Sequence, residues 1–284
     1  MASPQVPTDD VLAPLETIAG RGFSSYDVFR DWTELMLAAL QGDDETYLNV
    51  LEEYDRGKNR DQGERNADLF AQAFGELQAT MRDRGLDVLG AVYEAWDLGS
   101  HDQGVHFTPH SVARALAKFQ VYSQDGEAAP EPPVWIADPA CGSGRLLIFA
   151  ARVQDESVIC YAKDQNSVCA RMAALNCCFF NLDAVIVQGD SLQVTRQRVW
   201  RTRHTPLGGE IVEVDPERLP DPEVVFRSTS DETTDEATAP EAEPSAPTEA
   251  EGGTPWDCEE APAAADRLTV EDGDNLEQHA LDEF

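Results

Sequence analysis

The chain of 284 residues carries 54 Asp and Glu against 21 Lys and Arg, a formal net charge of -33 at pH 7. Such a length can bury a substantial core in one large domain or two smaller ones. This negative charge argues against a protein that binds nucleic acid at low salt through an overall positive surface. It favours a protein of a salt-loving cytoplasm, because molar salt shortens the screening length to about 3 Å. An interaction protein with an acidic tail is the alternative.

The cysteines and the apolar runs narrow the class further. Five of the six cysteines lie between Cys141 and Cys178 in one largely apolar stretch, which predicts buried free thiols rather than disulfides. No C-x-x-C pair is present, so no zinc site is predicted. No apolar run approaches the roughly 20 residues of a membrane span, and no signal peptide is recognised. We therefore expect a cytoplasmic protein without membrane contact.

The N-terminal part predicts an arm followed by helices. Residues 1–15 hold three prolines and are predicted as a flexible arm. Residues 16–100 are predicted as a helical domain, because apolar residues recur there at spacings of three and four. Ser24 and Ser25 precede the first of these patterns and are candidate helix caps. The four apolar faces fall within 28–39, 47–54, 69–81 and 86–96.

The pattern changes after Pro133. Short apolar runs at 134–137, 158–161 and 184–187 predict strands, and the segments 145–153 and 167–180 between them predict helices. This alternation indicates an α/β fold with a parallel sheet and crossover helices in a domain covering 101–220. Residues 221–284 are acidic, rich in Thr, Ala and Pro and without apolar period, and are predicted to be a disordered tail.

A glycine-rich turn joins the first predicted strand to its helix, with the sequence Asp138-Pro139-Ala140-Cys141-Gly142-Ser143-Gly144. Backbone N–H groups at such a helix start can meet an anionic or zwitterionic ligand. The third residue after Gly144 is Leu147, so the G-x-G-x-x-G dinucleotide pattern is not met, and the Gly-Lys-Ser/Thr of a P-loop is missing. The turn predicts a site for a nucleoside with a small charged tail, or a merely structural tight turn.

Two further aspartates follow the next two predicted strands. Asp164 comes after the second strand, where an acidic residue can accept hydrogen bonds from two ribose hydroxyls. Its ordinary alternative is to cap the next helix. Asp190 follows the third strand, at the edge where ligands of open α/β sheets bind, and its alternative is a turn aspartate.

Three segments together resemble a known family. The turn Asp138–Gly144 (DPACGSG) looks like the cofactor motif of amino-methylating (N-6 adenine) DNA methyltransferases, above all the modification subunits of type I restriction-modification systems. Residues 104–109 (GVHFTP) resemble the family's upstream element, although His106 stands where an aromatic residue is usual. Residues 87–94 (DVLGAVYE) resemble the helix that closes those subunits' N-terminal domain. The resemblance spans Leu86 to Leu192, in a chain of haloarchaeal-type composition.

The resemblance implies a fold and a cofactor. It implies a Rossmann-like class I methyltransferase core, here short of the family's remaining strands, and S-adenosylmethionine as cofactor. DNA is the implied substrate, and a specificity or other restriction-modification subunit is the implied partner. Carried over by position, the cofactor site consists of Phe107, Thr108 and Pro109 at the methionine end, Asp138, Ala140, Gly142 and Gly144 around the methionine and ribose, Asp164 on the ribose, and Asp190 near the adenine amino group.

The chain departs from the family at the target base. Adenine methyltransferases of this family hold the flipped base with Asn/Asp-Pro-Pro-Phe/Tyr, and the sequence contains no such run, so catalytic residues are not assigned. Beyond Asp190 stands a basic cluster instead, which could grip phosphates and stack on a base. Equally, its arginines could pair with nearby carboxylates on a solvated face. The members of this cluster are Arg196, Arg198, Trp200, Arg201 and Arg203.

Three hypotheses follow for the missing motif. In the first, the chain is an inactive or partner-dependent methyltransferase homologue that serves as a binding or regulatory subunit; the short segment between Asp190 and Asp221 favours this one. In the second, residues 200–204 replace the usual loop and the protein is an active DNA methyltransferase. In the third, the α/β core binds nothing and the protein is structural.

Overall fold

The structure, a computed structural model, describes residues 6–56, 59–100, 105–122, 133–154 and 157–218. Residues 1–5 of the predicted arm, Gly104 and the whole predicted tail 221–284 lie outside the described residues. The described helices are α1 Asp9–Ala19, α2 Ser25–Gln41, α3 Asp44–Glu52, α4 Asn66–Arg84, α5 Val88–Ala95, α6 His110–Tyr122, α7 Arg145–Arg152 and α8 Ser167–Phe179. The described strands are β1 Val134–Asp138, β2 Val158–Asp164, β3 Asp183–Gln188, β4 Arg198–Arg203 and β5 Glu210–Val214.

The prediction of a flexible arm over residues 1–15 is wrong from Asp9 onward, because α1 begins there. Val11, Leu15 and Ile18 repeat at helical spacing and are fully buried, and α1 packs against α4. This period crosses the predicted boundary at residue 15, and Pro14 inside the helix obscures it. Burial of the apolar face outweighs the helix-breaking tendency of the proline.

The helices predicted between residues 24 and 96 are present. The side chain of Ser24 accepts a hydrogen bond from the Asp27 backbone N–H, which confirms the predicted cap of α2. Phe29 and Trp32 on the inner face of α2 are buried at the centre of the helical part. The helix α6, which the sequence analysis did not predict, follows Pro109 and packs on α7.

The sheet has the order β1-β2-β3-β4-β5. The strands β1, β2 and β3 are parallel, as predicted, with Val134 opposite Val158 and Ile159 opposite Asp183. The helices α7 and α8 are the crossovers between them. Two strands that were not predicted, β4 and β5, extend the sheet antiparallel to β3, so the sheet is mixed.

The sheet and the helices share one buried core. Ile136, Cys160, Ala162, Ile186 and Trp200 face the side on which α8 packs, and they join one apolar cluster with the N-terminal helices. Since successive residues of a strand point to opposite faces, Ala137, Tyr161, Lys163 and Arg201 lie on the other face. This second face adjoins the cavity described below.

The cysteines in the described part are free thiols and buried, as predicted: Cys141, Cys160, Cys169, Cys177 and Cys178. Burial raises the pKa of the Cys141 thiol well above its usual value. Among the described residues, no helix has the length and apolar character to cross a bilayer.

Candidate functional site

The predicted site lies at the edge of the sheet where the three parallel strands end. The backbone N–H of Cys141 donates to the Lys163 carbonyl at 3.0 Å, and the N–H of Gly189 donates to the Asp164 carbonyl at 2.9 Å. These bonds tie the segment after each strand to its neighbour. Asp138, Asp164 and Asp190 are thereby brought to one edge, in the arrangement that the sequence predicted.

The glycine-rich turn is anchored by the carboxylates around it. Gly142 and Gly144 have φ of 53° and 79°, a left-handed conformation that a side chain would strain. The Gly142 N–H donates to Oδ2 of Asp164 at 2.9 Å, and the Ala140 N–H donates to Oδ1 of Asp138 at 3.1 Å. The second strand's aspartate therefore holds the turn of the first.

Asp164 does not cap α8, so the alternative of an N-cap is wrong for this residue. The cap is Asn166, whose side chain accepts from the Val168 and Cys169 N–H groups. Oδ1 of Asp164 accepts instead from the Asn166 N–H at 2.9 Å. The carboxylate thus stands between the turn and the start of α8.

Asp138 is electrostatically strained. Burial raises the pKa of its carboxyl, and the nearby charge of Asp164 raises that pKa further. A ligand that brings a positive charge or hydrogen-bond donors would favour the ionised form. This edge of the sheet therefore suits a cationic or hydroxyl-bearing ligand better than a phosphate.

Asp190 shapes the third segment as a turn aspartate, the ordinary role considered for it. Its Oδ1 accepts from the N–H groups of Leu192 and Gln193 at 2.8 and 3.0 Å. The next residue, Ser191, donates its hydroxyl to the Pro139 carbonyl at 2.5 Å and so ties this turn to the glycine-rich turn.

A cavity of about 260 Å³ opens on the sheet face away from α8. None of the predicted cofactor residues lines it, but their neighbours Pro139 and Ser191 do, together with Ala137, Tyr161, Lys163, Val194 and Arg196. Burial lowers the pKa of Lys163, and the charge of Arg196 lowers that pKa further. Lys163 was not among the predicted site residues, and its position inside a strand gave no signal.

The segment of the upstream element contacts the glycine-rich turn. A Cβ on Gly142 would lie 2.9 Å from the Phe107 ring, so the ring packs directly on the turn. The Phe107 and Tyr93 ring centroids are 5.5 Å apart. The guanidinium of Arg145 donates to the Thr108 carbonyl at 2.8 Å, which fixes the backbone before Pro109.

Arg145 is a second residue near the site that the sequence did not mark. It is the first residue of α7, directly after Gly144, and its side chain is 4% exposed. A cation is unfavourable at a helix N-terminus, where the dipole is positive. That local conflict is the signal by which the sequence could have marked it.

The predicted basic cluster does not form one surface. Along β4, Arg198 and Trp200 point to the face of α8, whereas Arg201 and Arg203 point to the other. Trp200 is fully buried, so its ring cannot stack on a base, and that part of the prediction is wrong. Arg198 pairs with Glu34 and Glu213, as the alternative of carboxylate pairing required.

The described residues hold no cluster of His, Cys, Asp and Glu suited to a metal ion. They also supply no target-base motif, and the catalytic residues remain unassigned.

Comparison with known proteins agrees with the motifs. Residues 84–205 match the N-6 DNA Methylase family. The chain is 38% identical over 79 residues to the type II methyltransferase M.MamI of Microbacterium ammoniaphilum, covering 26% of this chain and 22% of that protein. It is 31% identical over 125 residues to the type I restriction enzyme MjaVIII methylase subunit of Methanocaldococcus jannaschii, covering 40% of this chain and 20% of that protein.

The chain therefore spans about one-fifth of the length of these relatives. A crystal structure of a type I restriction-modification methyltransferase subunit from Streptococcus thermophilus aligns with a TM-score of 0.32 and 20% identity, covering 64% of this chain and 38% of that one. The resemblance inferred from the three sequence segments is confirmed over residues 84–205.

Proposed function

We propose, on the premise that residues 84–205 belong to the N-6 DNA methylase family, that the chain binds S-adenosylmethionine at the carboxyl edge of β1, β2 and β3. The observation that carries this proposal is the bond between the Gly142 N–H and the Asp164 carboxylate. It joins the glycine-rich turn to the acidic residue of the next strand. The packing of Phe107 on Gly142 adds the upstream element to the same place.

The residues fit the chemistry of this cofactor. S-adenosylmethionine carries a sulfonium cation, two ribose hydroxyls and a zwitterionic methionine end. Each oxygen of Asp164 accepts one backbone N–H and retains acceptor capacity for a ribose hydroxyl. Asp138, whose pKa is raised by burial, gains from a cationic neighbour. The Thr108–Pro109 segment is proposed to face the methionine end, and Asp190 the adenine amino group.

The reaction proposed from the relatives is methyl transfer to the amino group of adenine in DNA. The bound cofactor would supply the methyl group, and this chain would orient it. The sequence holds no Asn/Asp-Pro-Pro-Phe/Tyr run, and β3 is followed by the hairpin of β4 and β5. These two observations favour the alternative in which the chain binds the cofactor and another polypeptide, such as a specificity or modification subunit, completes the site for the base.

For DNA contact we retain Arg196, Arg201 and Arg203. Arg196 lines the cavity next to Ser191, and Arg201 and Arg203 share the sheet face on which that cavity opens. Arg198 and Trp200 are left out, because Arg198 pairs with Glu34 of α2 and Trp200 is fully buried.

Calorimetric titration with S-adenosylmethionine in molar KCl tests the cofactor proposal. We expect binding by the wild type and a loss of about tenfold or more in Asp138→Asn and Asp164→Asn, since each removes a charged acceptor. Glu45→Gln, an exposed carboxylate on α3, is the matched control and should bind as the wild type does. Absence of heat with the wild type would refute the proposal.

Tritium transfer from labelled cofactor to genomic DNA then separates the two forms of the proposal. Transfer by the chain alone supports an active enzyme, and cofactor binding without transfer supports the partner-dependent form. For DNA affinity, Arg201→Ala and Arg203→Ala should each lower the salt slope of binding by about one. The partly exposed Arg198→Ala serves as the comparison and should leave the slope unchanged.

A further inference from the structure

The candidate cofactor site is assembled from two parts of the chain that are distant in sequence, and the Arg145 side chain makes several of the contacts between them. The glycine-rich turn belongs to the α/β sheet, whereas Phe107 and Thr108 follow the N-terminal helices. Arg145 starts α7 immediately after the turn, and its guanidinium reaches back to the helical part in three directions. Nε donates to Asp87 at 2.9 Å, and the two terminal nitrogens donate to the Thr108 carbonyl at 2.8 Å and to Glu94 at 2.9 Å.

The same arginine also contacts the aromatic ring that rests on the turn. Its guanidinium carbon lies 5.6 Å from the Phe107 ring centroid. The Phe107 ring therefore contacts Gly142, the Tyr93 ring and the Arg145 guanidinium. Loss of the guanidinium would remove one contact of the Phe107 ring and the hydrogen bond to the Thr108 carbonyl.

Asp87 is the fixed point of this arrangement. It is fully buried at the N-terminus of α5, and its Oδ2 accepts from the Ser143 hydroxyl at 2.5 Å as well as from Arg145. Its Oδ1 accepts from the Gly90 N–H at 2.7 Å and from Asn176 of α8 at 2.8 Å. Asn176 donates in turn to the Ser143 carbonyl at 2.8 Å. At Ser143 the glycine-rich turn is thus hydrogen-bonded both to Asp87, at the start of α5, and to Asn176 of α8.

Stability alone does not account for this ion pair. Taking an arginine and an aspartate out of water costs free energy that apolar residues of similar volume would not require. What an apolar pair cannot do is set the direction of the Thr108 carbonyl. The guanidinium is a planar fork with fixed donor directions, and a lysine ammonium cannot satisfy three separated acceptors in the same way.

We propose that Arg145 is a positioning residue: it holds the Phe107–Thr108 segment against the glycine-rich turn and so shapes the part of the site that takes the amino-acid end of the cofactor. This inference rests on the proposed function for the identity of the ligand. The arrangement of the segment itself is independent of that identity.

The test uses the full chain in molar KCl and two ligands that differ only in the amino-acid end. S-adenosylhomocysteine carries an α-amino acid on its thioether, and 5′-methylthioadenosine carries a methyl group there. Arg145→Lys keeps the charge beside Asp87 and loses the fork. We expect it to weaken S-adenosylhomocysteine at least about tenfold and methylthioadenosine less than about twofold.

Arg152→Lys is the matched control. Arg152 lies on the same helix, donates to the Gly85 carbonyl and lies 4.8 Å from the Phe180 ring centroid, and neither of these partners belongs to the Phe107–Thr108 segment. Both variants exchange an arginine that bridges α7 to the helical part. Only Arg145→Lys should change the ratio of the two affinities.

Amide hydrogen exchange of a peptide covering 105–109 gives the readout that does not need a ligand. Exchange should become faster in Arg145→Lys and stay unchanged in Arg152→Lys. Equal exchange in the wild type and Arg145→Lys overturns the inference, and so does an equal loss of affinity for both ligands. A wild type that binds neither ligand, with faster exchange in Arg145→Lys, overturns the proposed function while the positioning role stands.

Discussion

Arg145 and Arg198 each pair with two carboxylates and each connect the helical part to the sheet, yet they differ in depth and in neighbours. The Arg145 side chain is 4% exposed and its main partner Asp87 is 0% exposed, next to the glycine-rich turn. The Arg198 side chain is 32% exposed, and its partners Glu34 and Glu213 are 17% and 38% exposed. When a buried charge loses its partner, water cannot solvate it in the partner's place. A charge at the surface that loses its partner is solvated by water. Depth, rather than the number of partners, sets the consequence of losing each arginine.

The largest expected effect is at the buried centre. Asp87→Ala removes the buried partner of the Arg145 charge, leaves it paired with the more exposed Glu94, and takes an acceptor from Ser143 and Asn176. We expect a loss of about 3–5 kcal/mol in the free energy of unfolding, measured by urea denaturation in molar KCl. The double variant Asp87→Ala/Arg145→Met removes both charges and should recover part of this loss. If Asp87→Ala lowered the free energy of unfolding by less than about 1 kcal/mol, the ion pair of Arg145 would not differ from the ion pairs of Arg198.

Trp200 is the buried neighbour of Arg198, and its replacement tests the packing around that arginine. Its ring is fully buried and lies 4.9 Å from the Arg198 guanidinium carbon. Trp200→Leu removes the aromatic ring and leaves an apolar side chain, so a loss of roughly 2–3 kcal/mol in the free energy of unfolding is expected from the smaller buried volume.

The DNA affinity of the folded Trp200→Leu variant should equal that of the wild type, in titrations at a temperature where both are native. If Trp200 stacked on a base in the wild type, Trp200→Leu would instead lose about 1–3 kcal/mol of binding free energy. A loss of that size, without a change in the free energy of unfolding, would return Trp200 to the nucleic-acid interface and contradict its place in the core.

The protonation of His110 makes the stability of the region around Arg145 and Asp87 depend on pH. It follows Pro109 and is buried, and burial lowers its pKa, with a further lowering from the Arg145 charge that the Asp87 charge opposes. The folded state therefore binds fewer protons than the unfolded state below pH 6.5, and the free energy of unfolding falls as the pH drops through that range. By pH 5 the loss is at most about 2 kcal/mol.

Comparison with His110→Gln isolates this effect, because carboxylates titrate in both proteins. Urea denaturation at pH 7.5 and pH 5 should show the wild type losing more stability than His110→Gln over the same interval. Parallel pH profiles for the two proteins would mean that His110 is free to take up its proton in the fold.

The sequence predicted much of the site because its signals are local. A strand, an aspartate and a glycine-rich turn are adjacent in the chain, and parallel strands bring Asp138, Asp164 and Asp190 to one edge. The position of Arg145 at a helix start is a local signal, but its role is not, because Asp87 lies 58 residues away and only the fold brings the two together.

The sequence was misleading where it read adjacency as a shared surface. Arg198, Trp200 and Arg201 are close along the chain, but alternation along β4 sends them to opposite faces. A strand was not predicted there, since Val199 and Trp200 are adjacent and the other residues of the run are polar, so the apolar alternation of a half-buried strand is missing. Likewise, Pro14 interrupts the helical period of Val11 and Leu15, so the sequence there resembles a flexible arm.

The smallest expected effect is at Arg198 itself. Arg198→Ala removes ion pairs to Glu34 and Glu213, both of which retain contact with water, and Glu34 keeps its pair with Arg171 at 2.6 Å. We expect a loss of no more than about 1 kcal/mol in the free energy of unfolding, and a smaller loss in molar KCl than in 0.1 M KCl because salt screens exposed pairs. Arg203→Ala, an exposed arginine on the same strand, is the control with no expected loss. A loss at Arg198 that matches Asp87→Ala and does not respond to salt would mean that the two arginines are equally indispensable, and that depth does not decide between them.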